Sequence, residues 1–173
     1  MLIINFFGTP GSGKSTGAAY IFSKLKMKGI NAELVTEFAK DKVWEESKEV
    51  FKNQFYIFGK QYFRISRCKD KVDVIITDSP LLLSSFYNQD PLLDINFSTM
   101  VLNIFNSFNN MNFFINRVKP YNPKGRLHNE KESDSMKSNM LNFLDDNNIY
   151  YNTYDGCKED YDKIVNQIMK IIN

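Results

Sequence analysis

The chain has 173 residues, enough for a single domain with a hydrophobic core, and we expect residues 1–173 to form one domain. Hydrophobic residues make up 43% of the chain, which excludes a disordered protein, and the formal net charge of +2 gives no general attraction to nucleic acid polymers or to membranes. A cytoplasmic protein is expected because no apolar run reaches the roughly 18 residues of a membrane span, no signal peptide precedes the first strand, and the two distant cysteines have no metal-binding spacing.

The first predicted unit is a strand, a glycine-rich loop and a helix. Residues 2–7 are an apolar run typical of a buried strand, and apolar side chains recur at helical spacing between Ala18 and Leu25. Between them, Gly8–Ser15 matches the pattern G-x-x-x-x-G-K-[ST] at every position. Because the motif stands in the context that its chemistry requires, we interpret it as a phosphate-binding loop rather than as a glycine-rich turn that matches by chance.

Each residue type in this loop suits the binding of a nucleoside triphosphate. Glycines let the backbone approach phosphate oxygens, and the loop amides form an anion site at the positive end of a helix. Lys14 should contact the terminal phosphates, and the Ser15 hydroxyl should hold Mg²⁺. The predicted nucleotide-binding residues are Gly8, Thr9, Pro10, Gly11, Ser12, Gly13, Lys14, Ser15 and Thr16. Mg-ATP or Mg-GTP is the expected ligand, but the motif does not define the fate of the phosphate.

Two further predicted strands each end at a carboxylate. Residues 32–35 precede Glu37, and residues 72–77 precede Asp78. Asp78 is placed to hold Mg²⁺ or to orient the attacking group, although a strand-terminal aspartate can also cap the next turn. Glu37 is placed to accept a proton from an attacking hydroxyl, although an acid at a helix start can also interact with the helix dipole.

The segment from residue 37 to residue 68 is predicted to be helical in two pieces, with a break near residues 52–53, and it carries the candidates for binding an acceptor. Trp44 can stack on a base or belong to the core, and Gln61 can read the polar edge of a base. Arg64 and Arg67 lie one turn apart and can bind an acceptor phosphate or pair with surface acids.

The rest of the chain continues the alternation of strands and helices. Strands are predicted at residues 111–115 and 149–154, and helices at residues 97–108, 130–147 and 160–172. This alternation indicates a parallel sheet with helices on both faces, whose ligands lie at the carboxyl ends of the strands. The phosphate loop, both carboxylates and Arg117 all fall at such ends, so one active site is expected there.

A basic loop, residues 117–128, follows the fourth strand. It contains four cations and no acid: Arg117, Lys119, Lys124 and Arg126. Such a loop suits a lid in which Arg117 and Arg126 stabilise the transferring phosphoryl group, because guanidinium groups bind phosphate oxygens in a bidentate manner. The alternative is a solvated basic loop.

Together these segments resemble the small P-loop kinases that act on nucleosides and nucleoside monophosphates. The pattern is similar to the nicotinamide-riboside-kinase-like domain family, often labelled an AAA-type domain, and to phage-encoded nucleotide kinases. The segments that carry the resemblance are Gly8–Ser15, Glu37–Lys40, Gln61, Asp78–Leu82, Pro120–Arg126 and Asp155–Gly156. Only the phosphate loop is highly specific.

The resemblance implies a three-layer α/β P-loop NTPase fold, with a five-stranded parallel sheet of order 2-3-1-4-5, helices on both faces and a small lid. It also implies transfer of the γ-phosphate of ATP, with Mg²⁺, to a small nucleoside-like acceptor. Arg64, Arg67, Arg117 and Lys119 depart from the riboside-kinase pattern by adding positive charge, which favours a nucleoside monophosphate such as a deoxynucleotide or a modified pyrimidine nucleotide.

Three alternatives stay open from the sequence. The acceptor can be an unphosphorylated nucleoside, either nicotinamide riboside or a deoxynucleoside, with Glu37 or Asp78 as the base. The chain can be a P-loop NTPase that acts as a switch or a motor, or a nucleotide-binding protein without catalysis. The apolar helix of residues 96–108 can form a homodimer face or pack on the sheet.

Overall fold

The computed structural model describes residues 1–93, 95–124 and 129–172. Its strands are β1 (Leu2–Phe7), β2 (Ala32–Val35), β3 (Val74–Thr77), β4 (Asn109–Asn116) and β5 (Asn152–Asp155). Its helices are α1 (Lys14–Met27), α2 (Phe38–Trp44), α3 (Gln54–Ser66), α4 (Leu83–Phe86), α5 (Ile95–Asn106), α6 (Glu130–Asp146) and α7 (Lys158–Ile172), with a 3-10 helix at Lys48–Lys52.

The five strands form one parallel sheet in the order β2-β3-β1-β4-β5, which confirms the predicted topology. The central strand β1 is buried at all six positions because helices cover both of its faces. Its odd-numbered apolar residues, Ile3 and Phe7, join the core formed with α3, α5 and α6. Its even-numbered residues join the core formed with α1 and α7. The molecule is therefore a three-layer α/β fold.

Asparagine side chains on one face of β1 and β4 are hydrogen-bonded to one another. Asn5 is 1% exposed, and its Nδ2 donates to Asn110 Oδ1 at 2.9 Å and to Asn112 Oδ1 at 3.0 Å. Asn110 Nδ2 in turn donates to the carbonyl oxygens of Phe105 and Phe108. We call Asn5, Asn110 and Asn112 the amide ladder.

Several predicted boundaries are corrected by the structure. Strand β4 begins at Asn109 rather than at residue 111, because the polar residues that precede its apolar run pair with β1. Strand β5 begins at Asn152 rather than at residue 149, because Ile149 closes α6 by donating its N–H to the Leu144 carbonyl. The predicted break in the helical segment is confirmed at Asn53. The piece before this break consists of two separate helices, α2 and the 3-10 helix.

Residues 125–128, the last part of the basic loop, lie outside the described residues. Arg126 is one of them, so its predicted role stays a prediction. Residues 117–124 of this loop contain no helix or strand. Within the described ranges, no helix is both long enough and apolar enough to cross a bilayer.

Candidate active site

The phosphate loop connects β1 to α1 and has the backbone that its glycines permit. Gly8 has φ +138°, and a Cβ at this position would lie 2.5 Å from the Ile115 carbonyl oxygen. Only glycine allows this combination of torsion and close approach to β4. Ser15 and Thr16 belong to the first turn of α1, so the amides at the start of this helix face the same site as the loop.

Helices on opposite faces of the sheet hold this loop in place. The Tyr161 hydroxyl of α7 donates to the Gly13 carbonyl at 2.9 Å, and burial raises the pKa of Tyr161 to about 12, so it remains a donor at neutral pH. From the other layer, the Ser133 hydroxyl of α6 donates to the Pro10 carbonyl at 2.8 Å. The loop is therefore fixed before a ligand binds. Neither Tyr161 nor Ser133 belongs to a sequence motif, and no pattern in the sequence points to these contacts.

Lys14 folds over the loop that precedes it. Its Nζ donates to the Gly8 carbonyl at 2.6 Å and to the Thr9 carbonyl at 3.1 Å. Lys14 and Ser15 both line the main cavity at the carboxyl ends of the strands. The ammonium group is thus already placed beside the anion site.

A cavity of about 460 Å³ extends from the phosphate loop towards α2, α3 and the segment after β3. Of the predicted site residues, the following line it: Pro10, Gly11, Gly13, Lys14, Ser15, Thr16, Glu37, Trp44, Gln61 and Asp78. The volume falls in the range of small-molecule sites. Gln54, Tyr87, Lys40 and Lys124 line the same cavity. Tyr87 lies beyond the segment Asp78–Leu82 that follows the third strand, and no motif in the sequence predicts its place in the cavity.

Asp78 and Glu37 are connected directly across the ends of β3 and β2. Asp78 is 3% exposed, and its Oδ1 accepts a hydrogen bond from the Glu37 backbone N–H at 3.0 Å. Ser15 and Asp78 supply a hydroxyl and a carboxylate to one cavity, and such oxygen donors suit Mg²⁺. No cluster of three or more metal-binding side chains occurs among the described residues. A cation here would therefore need ligand phosphates and water to complete its coordination.

The environment of Glu37 favours its protonated form. Burial is the main cause that raises the pKa of this carboxyl, and the Asp78 charge raises it further. The Lys14 ammonium opposes both effects. Burial and the Glu37 charge also raise the pKa of the Tyr87 hydroxyl, which indicates that Tyr87 and Glu37 are close. A carboxyl with a raised pKa in a cavity is typical of an acid or base in catalysis.

The helix α3 contributes two glutamines that differ in their contacts. Gln61 is 2% exposed, and its side-chain amide contacts the backbone around Glu37 and the Thr77 hydroxyl. Gln54 lines the same cavity, and its Nε2 donates to the Phe51 carbonyl at 3.2 Å. Trp44 is 65% exposed at the rim of this cavity rather than in the core.

The predicted arginines lie around the cavity rather than in it. Arg64 donates to Asp41 Oδ2 at 2.6 Å and to the Thr36 carbonyl at 3.1 Å, and Arg67 is exposed. Neither residue lines the cavity. The predicted phosphate contact of these two arginines stays a prediction that their placement does not support.

Arg117 leaves the end of β4 beside the phosphate loop and binds the start of α6. Its guanidinium contacts Glu130 at 2.8 Å and also pairs with Asp134, and it stacks 5.3 Å from the centre of the Tyr121 ring. Tyr121 and the Arg117 side chain lie next to Gly11. The arginine is thus near the phosphate site while it is bound to two carboxylates. Lys119 is exposed to solvent.

Solved structures with a similar fold include several kinases. Two structures of deoxyadenosine kinase from M. mycoides, one with bound dATP and one with the products dCMP and dCDP, match with TM-scores of 0.56 and 0.54 at 21% identity. The alignments cover 99% of this chain and 99% and 98% of those chains. Shikimate kinase from Bacteroides thetaiotaomicron matches with a TM-score of 0.52 at 11% identity, over 99% of this chain and 98% of that one. These similarities show the P-loop kinase fold.

In sequence, no family model and no curated protein matches the chain, so the riboside-kinase-like and phage-type assignments stay predictions.

Proposed function

We propose that this protein is a kinase that transfers the γ-phosphate of ATP to a hydroxyl group of a nucleoside. The observation that carries the proposal is Glu37, a carboxyl with a raised pKa that shares one cavity with Lys14 and Asp78. A hydroxyl must lose its proton when it attacks phosphorus, so a carboxylate beside the phosphate loop has a clear role. The name of the similar deoxyadenosine kinase structures supports the same class of acceptor.

In this mechanism Glu37 accepts the proton of the acceptor hydroxyl. The oxygen of that hydroxyl attacks the γ-phosphorus, and ADP leaves. Lys14 and the loop amides stabilise charge on the phosphate oxygens. Mg²⁺, which Ser15 and Asp78 would hold, supplies further neutralisation of phosphate charge when it is bound. Trp44 and Gln54 line the part of the cavity that is left for the base and sugar.

A nucleoside monophosphate is the second candidate acceptor, and two lysines favour it. Lys40 and Lys124 line the cavity and can offset a second phosphate. The sequence favours this acceptor through Arg64, Arg67, Arg117 and Lys119. In the structure Arg64 and Arg117 are paired with carboxylates, and Arg67 and Lys119 do not line the cavity. The Asp78 carboxylate would repel an acceptor phosphate, and a phosphate needs no base such as Glu37, so we place the nucleoside first.

A coupled assay with ATP across deoxynucleosides, ribonucleosides, nicotinamide riboside and monophosphates tests this proposal. We expect transfer to at least one unphosphorylated nucleoside. Glu37→Gln should lower its turnover about 10²- to 10⁴-fold, the usual contribution of a general base, while ATP still binds. Transfer to monophosphates alone would contradict the nucleoside assignment. Rapid ATP hydrolysis that no acceptor stimulates would instead favour a switch or a motor.

A further inference from the structure

Gln61 lies at the point where α3 meets β3 and the turn between β2 and α2. Its side-chain Oε1 accepts a hydrogen bond from the Phe38 backbone N–H at 3.0 Å. Its Nε2 lies 3.4 Å from the Thr36 carbonyl oxygen and 3.5 Å from the Thr77 hydroxyl. The amide therefore contacts the backbone on both sides of Glu37.

The backbone of Glu37 itself is held by a different partner. Its N–H donates to Asp78 Oδ1, so three consecutive residues, Thr36, Glu37 and Phe38, are all bound to side chains of other elements. Gln61 supplies two of the side-chain contacts to these residues, Asp78 supplies a third, and Arg64 also donates to the Thr36 carbonyl at 3.1 Å. The turn has no side-chain cap of its own for α2, which leaves these external contacts to define its conformation.

We infer that Gln61 is a positioning residue that holds this turn and so aims the Glu37 carboxylate at the acceptor hydroxyl. The inference rests on the proposed function for the role of Glu37 but not for the contacts themselves. Gln61 was expected from the sequence to read a base. In the structure its Oε1 and Nε2 contact the protein backbone, whereas Gln54, seven residues earlier on α3, lines the cavity and donates to the Phe51 carbonyl instead.

The two glutamines provide a matched pair for the test. Gln61→Met keeps the shape of a buried side chain but removes both contacts to the turn. Gln54→Met changes a glutamine of the same helix and cavity that does not contact the turn.

We expect Gln61→Met to lower kcat for the nucleoside at least about tenfold with little change in its KM, because small displacements of reacting groups reduce rates strongly. Gln54→Met should instead raise the KM and change the preference among bases.

Amide hydrogen exchange supplies a readout that needs no acceptor. Loss of the Gln61 contact in Gln61→Met should speed exchange at Phe38, with thermal unfolding and circular dichroism showing that the variant is folded. Unchanged exchange at Phe38 would overturn the inference, and so would a Gln61→Met variant that changes KM and base preference but not kcat. If exchange changes as expected but no nucleoside is phosphorylated by the wild type, the proposed function fails while the structural role of Gln61 stands.

Discussion

At the scale of single residues, Glu37 is subject to two opposing requirements. A general base must be ionised, yet burial and Asp78 favour the protonated carboxyl. We therefore expect turnover to rise with pH across a pKa that lies above the usual range of a glutamate. The same shift means that ionisation of Glu37 destabilises the fold, since the unfolded chain ionises this group more easily.

The first prediction is that Glu37→Gln stabilises the protein at neutral pH while it impairs transfer. Below the pKa that Glu37 has in the unfolded chain, its carboxyl is protonated in both the folded and the unfolded protein. Its ionisation then has no effect on the free energy of unfolding. As the pH rises towards the folded pKa, the wild type loses about 1.4 kcal/mol for each unit by which the folded value exceeds the unfolded one. Urea unfolding at about pH 4 and about pH 8 measures this difference.

The control for this prediction is Glu46→Gln, which changes an exposed acid at the end of α2. Its effect on the free energy of unfolding should be small at both pH values. If Glu37→Gln shifts stability equally at acidic and neutral pH, the buried charge is not the cause.

The sequence predicts those residues whose position follows from an element boundary. Lys14 and Ser15 belong to a motif, and Glu37 and Asp78 follow apolar strands, so their convergence in one cavity is expected from a parallel sheet. The partners of Gln61 and Arg64 are not predictable in this way. Helical spacing identifies a shared face, but it does not show whether that face meets a ligand or the turn after β2.

At the scale of elements, α6 connects the basic loop to the phosphate loop. A capping box at Asn129 and Glu132 defines its start, and Ser133 binds Pro10. Glu130 and Asp134 lie one turn apart and hold Arg117. This end of α6 thus places carboxylates next to the phosphate loop.

The second prediction is that the double variant Glu130→Gln, Asp134→Asn binds ATP more tightly. Both carboxylates are more than half exposed, so each pair should contribute at most about 1 kcal/mol, and the loss of both should strengthen binding up to about thirtyfold. Calorimetric titration of ATP at low and high salt measures the effect, which should shrink as salt screens the charges. Unchanged affinity at low salt would show that Arg117 does not act on the triphosphate.

Predicted elements were most accurate where apolar periodicity and burial coincide. Hydrophobicity predicts a strand at Ile149, which instead closes the end of α6, and it misses the polar residues Asn109 and Asn110, which pair with β1. A local capping hydrogen bond decides the first case and pairing with a distant strand decides the second. The short helix α4 has too few residues to show a period.

At the scale of the whole molecule, the phosphate loop is the place where both helical layers and the end of β5 meet. Gly156, at the turn after β5, packs so closely on the loop that a Cβ there would collide with the Ser12 carbonyl and lie 3.1 Å from the Asn116 carbonyl. Global stability and nucleotide binding should therefore respond together to a change at this turn.

The third prediction is that Gly156→Ala lowers both the free energy of unfolding and the stabilisation by ATP. A ligand at 100 times its Kd adds about 2.7 kcal/mol, so weaker binding appears directly as a smaller gain at the same ATP concentration. Gly59→Ala is the matched control, because a Cβ there meets nothing within 4 Å and alanine should stabilise α3 by about 0.5–1 kcal/mol. If ATP raised the free energy of unfolding equally in both variants, the packing of Gly156 on the phosphate loop would have no effect on nucleotide binding.

The amide ladder has a consequence for how the chain reaches this fold. Parallel strands whose core residues are all apolar can pair in more than one register. A shift of β4 by one residue against β1 would turn Asn110 and Asn112 to the opposite face of the sheet and leave the buried Asn5 amide without these hydrogen-bond partners. Each buried amide group left without a partner costs about 1–3 kcal/mol. The ladder therefore rejects misaligned pairings between strands more than 100 residues apart in the chain, where Asn5 and Asn110 are separated by 105 positions. The amide ladder thus favours one register of β1 and β4, and the ends of these two strands position the phosphate loop and Arg117.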